Sequence, residues 1–239
     1  MIKFYIKKML KLFGWSLVKI NRRPPTGYVY EKPNLENIKC ILNSKGILHL
    51  GAHRGKEAEV YNWFNKKVVW IEANPAIYED LRNHTKFFYR QRAYNYLIDE
   101  KNKKNKNFFI SNKDASCSSI YNLSDEVKKK KLWKEHNVKI LNSIQLEMKT
   151  LDDIFRQNQI NIREYNHWVV DLQGAELNAL MGAKKSLKSC KSINVEISME
   201  NYYETGSTQW NDLKKFLLKK GFKLVTKPQK KHCDALFKK

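Results

Sequence analysis

Acidic residues are in short supply in this chain. Only 24 Asp and Glu stand against 46 Lys and Arg over 239 residues, a formal charge of +22. Cysteine is sparse too. Cys40, Cys117, Cys190 and Cys233 lie far apart with no C-x-x-C pair. That spacing argues against a zinc site or a disulfide framework and fits a reducing, cytoplasmic setting. The nine glycines form neither G-x-G-x-x-G nor the Walker phosphate loop, so no dinucleotide or nucleoside-triphosphate cradle is legible. The one extended apolar stretch, at the N-terminus, is broken by lysines too often to span a bilayer. No small-residue cleavage site follows it, which argues against a signal peptide.

What is present describes a globular domain. Hydrophobic content is 42% and aromatic content 12%, too rich for wholesale disorder. The charge invites a nucleic-acid or anionic-membrane partner. The plainer reading is that much of it sits in solvated lysine runs, such as 101–107 and 128–131, and that reading is carried forward for the body of the chain.

Residues 1–34 read as a unit apart from 35–239. Ile2, Ile6, Met9, Phe13, Leu17 and Ile20 recur at helical steps, with Lys3, Lys7, Lys8, Lys11 and Lys19 mostly elsewhere on the wheel. Such a helix in residues 1–23 can lie in an anionic headgroup layer, peripheral at the cytoplasmic membrane face, or pack on its own domain. Residues 21–34 hold three of the five prolines and read as a linker.

From residue 44 strands and helices alternate. Strands are expected at Gly46–Leu50, 68–72, within 87–96, 108–110, 144–148, 168–171 and 192–198. Helices are expected at 56–64, 75–83, from Thr150 onward, after Gly174 and at 210–221, with a helical insertion between 110 and 144. Residues 222–225 and 234–237 close the chain as an antiparallel pair. This alternation means a mainly parallel sheet covered by helices.

Gly51 and Gly55, in ILHLGAHRG, follow the first strand. Glycines there suggest a ligand pressed against the strand-to-helix turn. The second strand ends in Glu72, placed to accept from both hydroxyls of a ribose. His53 and Lys56 stand where a dinucleotide fingerprint needs glycine, which favours S-adenosylmethionine, a cofactor without phosphate.

HLGAHRG, WIEANP (70–75), TLDDIF (150–155), VVDLQGAELNALMGA and INVEIS, in that order, resemble the FkbM family of methyltransferases. The likeness runs from about residue 44 to the C-terminus. It implies a Rossmann-like class I methyltransferase fold: α/β, with a mostly parallel seven-stranded sheet, helices on both faces and an antiparallel last strand. It implies S-adenosylmethionine-dependent O-methylation of a sugar, sugar nucleotide or surface glycan precursor. Carried over, Gly51, Ala52, His53, Arg54 and Gly55 form the cofactor loop and Glu72, followed by Ala73, binds the ribose. Ala93 and Tyr94 contact adenine. Asp171, with Leu172, stands beside the reacting methyl.

The candidate catalytic groups are Asp171, Glu196 and His53. Asp171 is read either as the general base or as a ligand of the cofactor's amino group or a helix cap. Glu196 ends the neighbouring strand, and the pair could share a Mg²⁺, although no metal is expected. His53 is read as a cofactor contact or a base, and His49 as a hydrogen-bonded group inside the sheet. Substrate contacts are sought at Ser118, Ser119, Gln173, Glu176, Tyr202 and Tyr203, the two tyrosines as a sugar-stacking wall. The rival readings are an RNA methyltransferase using the basic surface and a non-catalytic membrane-associated binding module.

Overall fold

The computed structural model describes residues 34–112, 114–129 and 137–239. The basic stretch 1–23 and the linker up to Pro33 lie outside them. The described residues belong to one compact unit, Asn34–Lys239.

Seven strands form the main sheet, in the order β3-β2-β1-β7-β8-β10-β9. They are β1 (Gly46–Leu50), β2 (Lys67–Glu72), β3 (Gln91–Asn95), β7 (His167–Val170), β8 (Ser192–Ser198), β9 (Lys223–Leu224) and β10 (His232–Lys238). β3, β2, β1, β7 and β8 are parallel; β10 runs antiparallel to β8 and pairs antiparallel with β9. The chain therefore starts in the middle of the sheet, builds outward to β3 and returns to place β7 beside β1. That reversal opens a crevice at the carboxyl ends of β1 and β7.

Helices cover both faces. α1 (Leu35–Asn43), α2 (Ala58–Trp63) and α3 (Pro75–Thr85) precede the insertion, and α5 (Leu151–Gln157), α6 (Glu176–Met181) and α7 (Trp210–Lys219) follow it. Leu48, Leu50, Trp168, Val170, Ile193 and Val195 carry the large core against α5, α6 and α7. Ile47, Val68 and Trp70, on alternate positions, pack with Ala58, Tyr61 and Leu81 of α2 and α3. Runs apolar on both faces are what a central parallel strand requires. The starts of α3 and α5 are legible: Asn74 accepts from Ala76 N with Pro75 at the first turn, and Thr150 accepts from Asp153 N. The equivalent cap of α1 is Asn34, whose side chain accepts from Asn37 N.

The middle of the chain differs from expectation. The two short strands looked for there are long: β5 (Lys103–Ser111) and β6 (Ile140–Lys149) pair antiparallel, with β4 (Leu97–Ile98) on the other side of β6. Their lysine-rich outer face hid the alternation. Among the described residues the helical insertion amounts to α4 (Asp125–Lys128). Leu97, Phe108, Ile120 and Met148 form a second core beneath this small sheet. It stands over the crevice, and Leu97, Phe108 and Ile120 face a cavity there.

Candidate active site

The cavity has a volume of about 340 Å³, within the range of small-molecule sites. Its polar floor comes from the ends of β1, β2 and β7: Gly51, Ala52, His53, Glu72, Ala73 and Asp171. Leu172, Gln173 and Ala175 continue it, and Ser118 reaches it from the loop after β5. Apolar walls come from Tyr96, Leu97, Ile98, Phe108 and Ile120.

The turn after β1 is shaped by protein, which corrects the reason given above for its glycines. Gly51 has φ +77°, and a Cβ there would lie 1.7 Å from the Asp171 carbonyl oxygen. Gly55 has φ +67°, and its Cβ would meet Leu81 Cδ1 at 2.7 Å. Gly51 thus lets the ends of β1 and β7 close together, and Gly55 lets the turn settle on α3. Gly51 still lines the cavity; Gly55 does not.

Glu72 is buried, with each oxygen tied to a backbone donor. Oε2 accepts from His53 N at 2.9 Å and Oε1 from Asn74 N at 2.8 Å. Burial pushes its carboxyl up, against the pull of these N–H groups. A carboxylate can accept more than these bonds, and Glu72 lines the cavity, which suits the hydroxyls of a ribose. Apolar walls beside this carboxylate suit adenine, so the residues present fit S-adenosylmethionine.

Ala93, Tyr94 and Arg54 fall elsewhere, whereas His49 and His53 line the cavity. Ala93 and Tyr94 do not line the cavity. They lie on opposite faces of β3, packed into the two sheet cores, and the cavity wall begins at Tyr96, where the strand has ended. Arg54 does not line the cavity; it pairs with Asp80 and with Asp114, which does. His53 has φ +47°, and its ring Nε2 lies 2.8 Å from the Asp114 carbonyl, so the ring is engaged at the rim. His49 stacks on Trp70 at 4.8 Å, with Tyr61 Oη 3.4 Å from its Nδ1. Burial pushes its pKa down to about 4, so it is neutral at pH 7.

The carboxylates converge at β7 and β8. Gln173, in a left-handed conformation at φ 51°, donates from Nε2 to Asp171 Oδ1 and to Glu196 Oε2, both at 2.6 Å. Its Oε1 accepts from the Tyr203 hydroxyl at 2.7 Å. Burial first, and then the neighbouring Glu196 charge, raise the Asp171 carboxyl well above its ordinary value. Burial raises Glu196 to about 7. Two like charges this close resist ionising together, so the pair holds a proton more tightly than either acid alone. His232 Nε2 approaches Glu196 Oε1 at 3.2 Å.

Glu176 is buried at the first position of α6. Its Oε1 accepts from Leu172 N and Gly174 N, both at 3.0 Å, so it fastens the turn carrying Asp171 instead of facing the cavity. Ser119 donates to the Gln173 carbonyl at 2.7 Å and is likewise buried. The tyrosine wall is corrected too: Tyr202 and Tyr203 are each 7% exposed. Tyr202 donates to Glu200 at 2.9 Å. Tyr203 borders a separate open groove of about 920 Å³. Ligand oxygens of Asp171, Glu176 and Glu196 all lie within 4.8 Å of one another, a donor set that suits a hard divalent cation. The Gln173 amide, however, points its N–H groups at two of the three.

Residues 49–224 match the model of the methyltransferase FkbM domain. The chain belongs to this family. It is an S-adenosylmethionine-dependent methyltransferase. A search of curated proteins finds no match. Solved structures similar to this FkbM protein include an S-adenosylmethionine-dependent methyltransferase from Aquifex aeolicus, at 7% identity and TM-score 0.45, covering 85% of this chain and 87% of that one. Fibrillarin from Aeropyrum pernix, in complex with S-adenosyl-L-methionine, aligns at 11% identity and TM-score 0.43 over 82% and 67%. A TehB-like methyltransferase from Corynebacterium glutamicum aligns at 11% and 0.42 over 99% and 97%. No described helix of the FkbM protein is long and apolar enough to cross a membrane.

Proposed function

We propose that this FkbM protein methylates a hydroxyl oxygen of a sugar, a sugar nucleotide or a surface glycan precursor. When bound, S-adenosylmethionine supplies a methyl on a positively charged sulfur, so the protein's task is to hold and deprotonate the acceptor. The observation that carries the reading is the Asp171–Glu196 pair at the cavity's edge. A hydroxyl is a poor nucleophile until its proton leaves, and a carboxylate with a raised pKa is suited to take it. Asp171, which lines the cavity, is the acceptor of that proton. Glu196, which does not, holds Asp171 in its raised state. Gln173 fixes the spacing of the two.

The groove beside Tyr203 supports a polyhydroxyl acceptor. Ser124, Asn178, Asn201, Thr205, Thr208 and Gln209 offer it hydroxyl and amide groups. Asp125, Glu126, Glu204 and Asp212 stand there against Lys128 and Lys129. On a chain of +22, such a groove is unsuited to an RNA backbone. The test is transfer of a radiolabelled methyl to a panel of sugar nucleotides, glycolipids and RNA. Label in a saccharide as a base-stable ether supports the proposal. Label confined to RNA overturns it.

A further inference from the structure

Large apolar side chains exposed singly are ordinary. Three here are gathered at one edge. Trp63 is 86% exposed, Phe87 77% and Tyr89 84%. Arg90 Nη1 donates to Asn65 Oδ1 at 3.1 Å, and Val68 N donates to the Arg90 carbonyl at 2.9 Å. The turn before β3 is thereby bonded to the turn after Trp63. Lys66 Nζ extends the patch to α1 by donating to the carbonyls of Leu42 and Ser44, at 2.7 and 2.8 Å. The edge lies at the amino ends of β1, β2 and β3, away from the cavity at their carboxyl ends.

Cations outnumber carboxylates along it, with Glu164 the carboxylate that faces Lys67. No carboxylate occurs between Glu59 and Glu72 or between Asp80 and Asp99, while six cations do. Lys67 and Arg82 are paired with Glu164 and Glu79. Lys86 Nζ lies 5.4 Å from the centre of the Phe87 ring and Arg90 Cζ 5.9 Å from that of Tyr89. Three aromatic rings facing water, two of them with a cation alongside, match the layer where lipid phosphates meet acyl chains: the rings leave water and the cations meet phosphate. A nucleic-acid strand could stack on the same rings, but here it would lie at the wrong end of the sheet for methyl transfer.

We propose that this edge seats the protein on an anionic bilayer, with Trp63, Phe87 and Tyr89 in the headgroup layer and Lys86 and Arg90 against phosphate. The cavity then opens about one strand length from the lipid, roughly 17 Å, and takes its acceptor from the aqueous side. The seat is independent of the acceptor's identity and of residues 1–23.

The test is co-sedimentation of the full chain with vesicles of phosphatidylcholine and phosphatidylglycerol in equal parts, against phosphatidylcholine alone. The variant Trp63→Ala/Phe87→Ala/Tyr89→Ala is expected to bind charged vesicles at least about tenfold more weakly. Lys86→Gln/Arg90→Gln is expected to flatten the salt dependence of binding. Both should bind S-adenosylhomocysteine like the parent, which shows an intact fold. Four results would each overturn the proposal: a parent that ignores vesicles, a triple variant that binds them equally well, a parent dimer that the triple variant makes monomeric, or a loss in the triple variant confined to single-stranded RNA.

Discussion

Asp171, just past the end of β7, and Glu196, on the adjacent β8, have one amide between them, that of Gln173, donating a 2.6 Å hydrogen bond to each. If Asp171 takes the acceptor's proton, Asp171→Asn keeps the shape and removes the base. Its kcat should fall about a hundredfold or more, with S-adenosylhomocysteine affinity within about threefold of the parent by calorimetry. A variant that keeps its kcat while losing cofactor affinity would place Asp171 among the cofactor's ligands instead.

The pair also sets a pH dependence. The base must be ionised, so kcat/KM should rise with pH as the shared proton leaves, above the ordinary carboxylate range because burial raises both Asp171 and Glu196. Glu196→Gln removes the charge that helps hold the Asp171 carboxyl up, so the rising limb should move to lower pH. An unmoved limb would mean that the limb reports another group.

Stability gives a second reading of the same groups. Glu176 and Glu196 are both raised from 4.5 to about 7, so the native state holds their protons where the unfolded state has released them. Their contribution is fully present below 4.5 and is lost as pH rises toward 7. Buried His49 and His167, lowered to about 4 and about 3, act oppositely and cost stability as pH falls below 6.5. The difference between parent and Glu196→Gln isolates the carboxylate. Measured by urea unfolding, it should favour the parent less as pH rises from 4.5 to 7.

How far the sequence carried the reading depends on the kind of signal. β1, β2, β7 and β8 were legible because a strand covered on both faces is a short apolar run. Glu72 and Asp171 were legible because each ends such a run. β5 and β6 were nearly invisible, since Lys103, Lys104 and Lys106 mask the alternation on a strand half open to water. Tyr96, Leu97, Phe108 and Ile120 were missed too: they come from the small sheet and the segments flanking it, and nothing local marks a residue that forms a roof. The Gln173 bridge was out of reach, because it depends on β7 and β8 being neighbours and on a left-handed glutamine that sequence patterns do not announce.

Glu72 should carry cofactor affinity through two oxygens. Glu72→Ala removes both and leaves the His53 and Asn74 N–H groups without their partner. Hydrogen bonds to a charged group are worth about 1.5–3 kcal/mol each, so S-adenosylhomocysteine binding should weaken at least tenfold. Glu72→Gln keeps one acceptor and should lose less. Calorimetric titration of both variants checks the order; equal affinities in parent and Glu72→Ala would remove Glu72 from the site.

The two glycines of the β1 turn should respond differently to one added methyl. At Gly51 the new Cβ meets main chain, the Asp171 carbonyl at 1.7 Å, in a left-handed backbone. The ends of β1 and β7 would have to part, so Gly51→Ala is expected to cost about 4 kcal/mol or more in urea unfolding. At Gly55 the neighbour is the tip of a leucine side chain, which can turn aside, leaving chiefly the strain of the positive φ. Gly55→Ala should cost about 1–3 kcal/mol. Equal costs would mean that backbone strain alone decides.

A divalent cation at Asp171, Glu176 and Glu196 would face obstacles built by their neighbours. Gln173 directs N–H groups at Asp171 and Glu196, and one Glu176 oxygen already accepts two backbone donors. Admitting a cation requires the Gln173 amide to turn over, which would move Oε1 away from the Tyr203 hydroxyl it now accepts from. Dialysis against EDTA should therefore leave methyl transfer within about twofold, and added Mg²⁺ should not raise it. Gln173→Glu, which replaces the donor with a fourth carboxylate, should create the dependence that the parent lacks. A parent that loses activity in EDTA and regains it with Mg²⁺ would show that the amide turns over and that the three carboxylates hold metal.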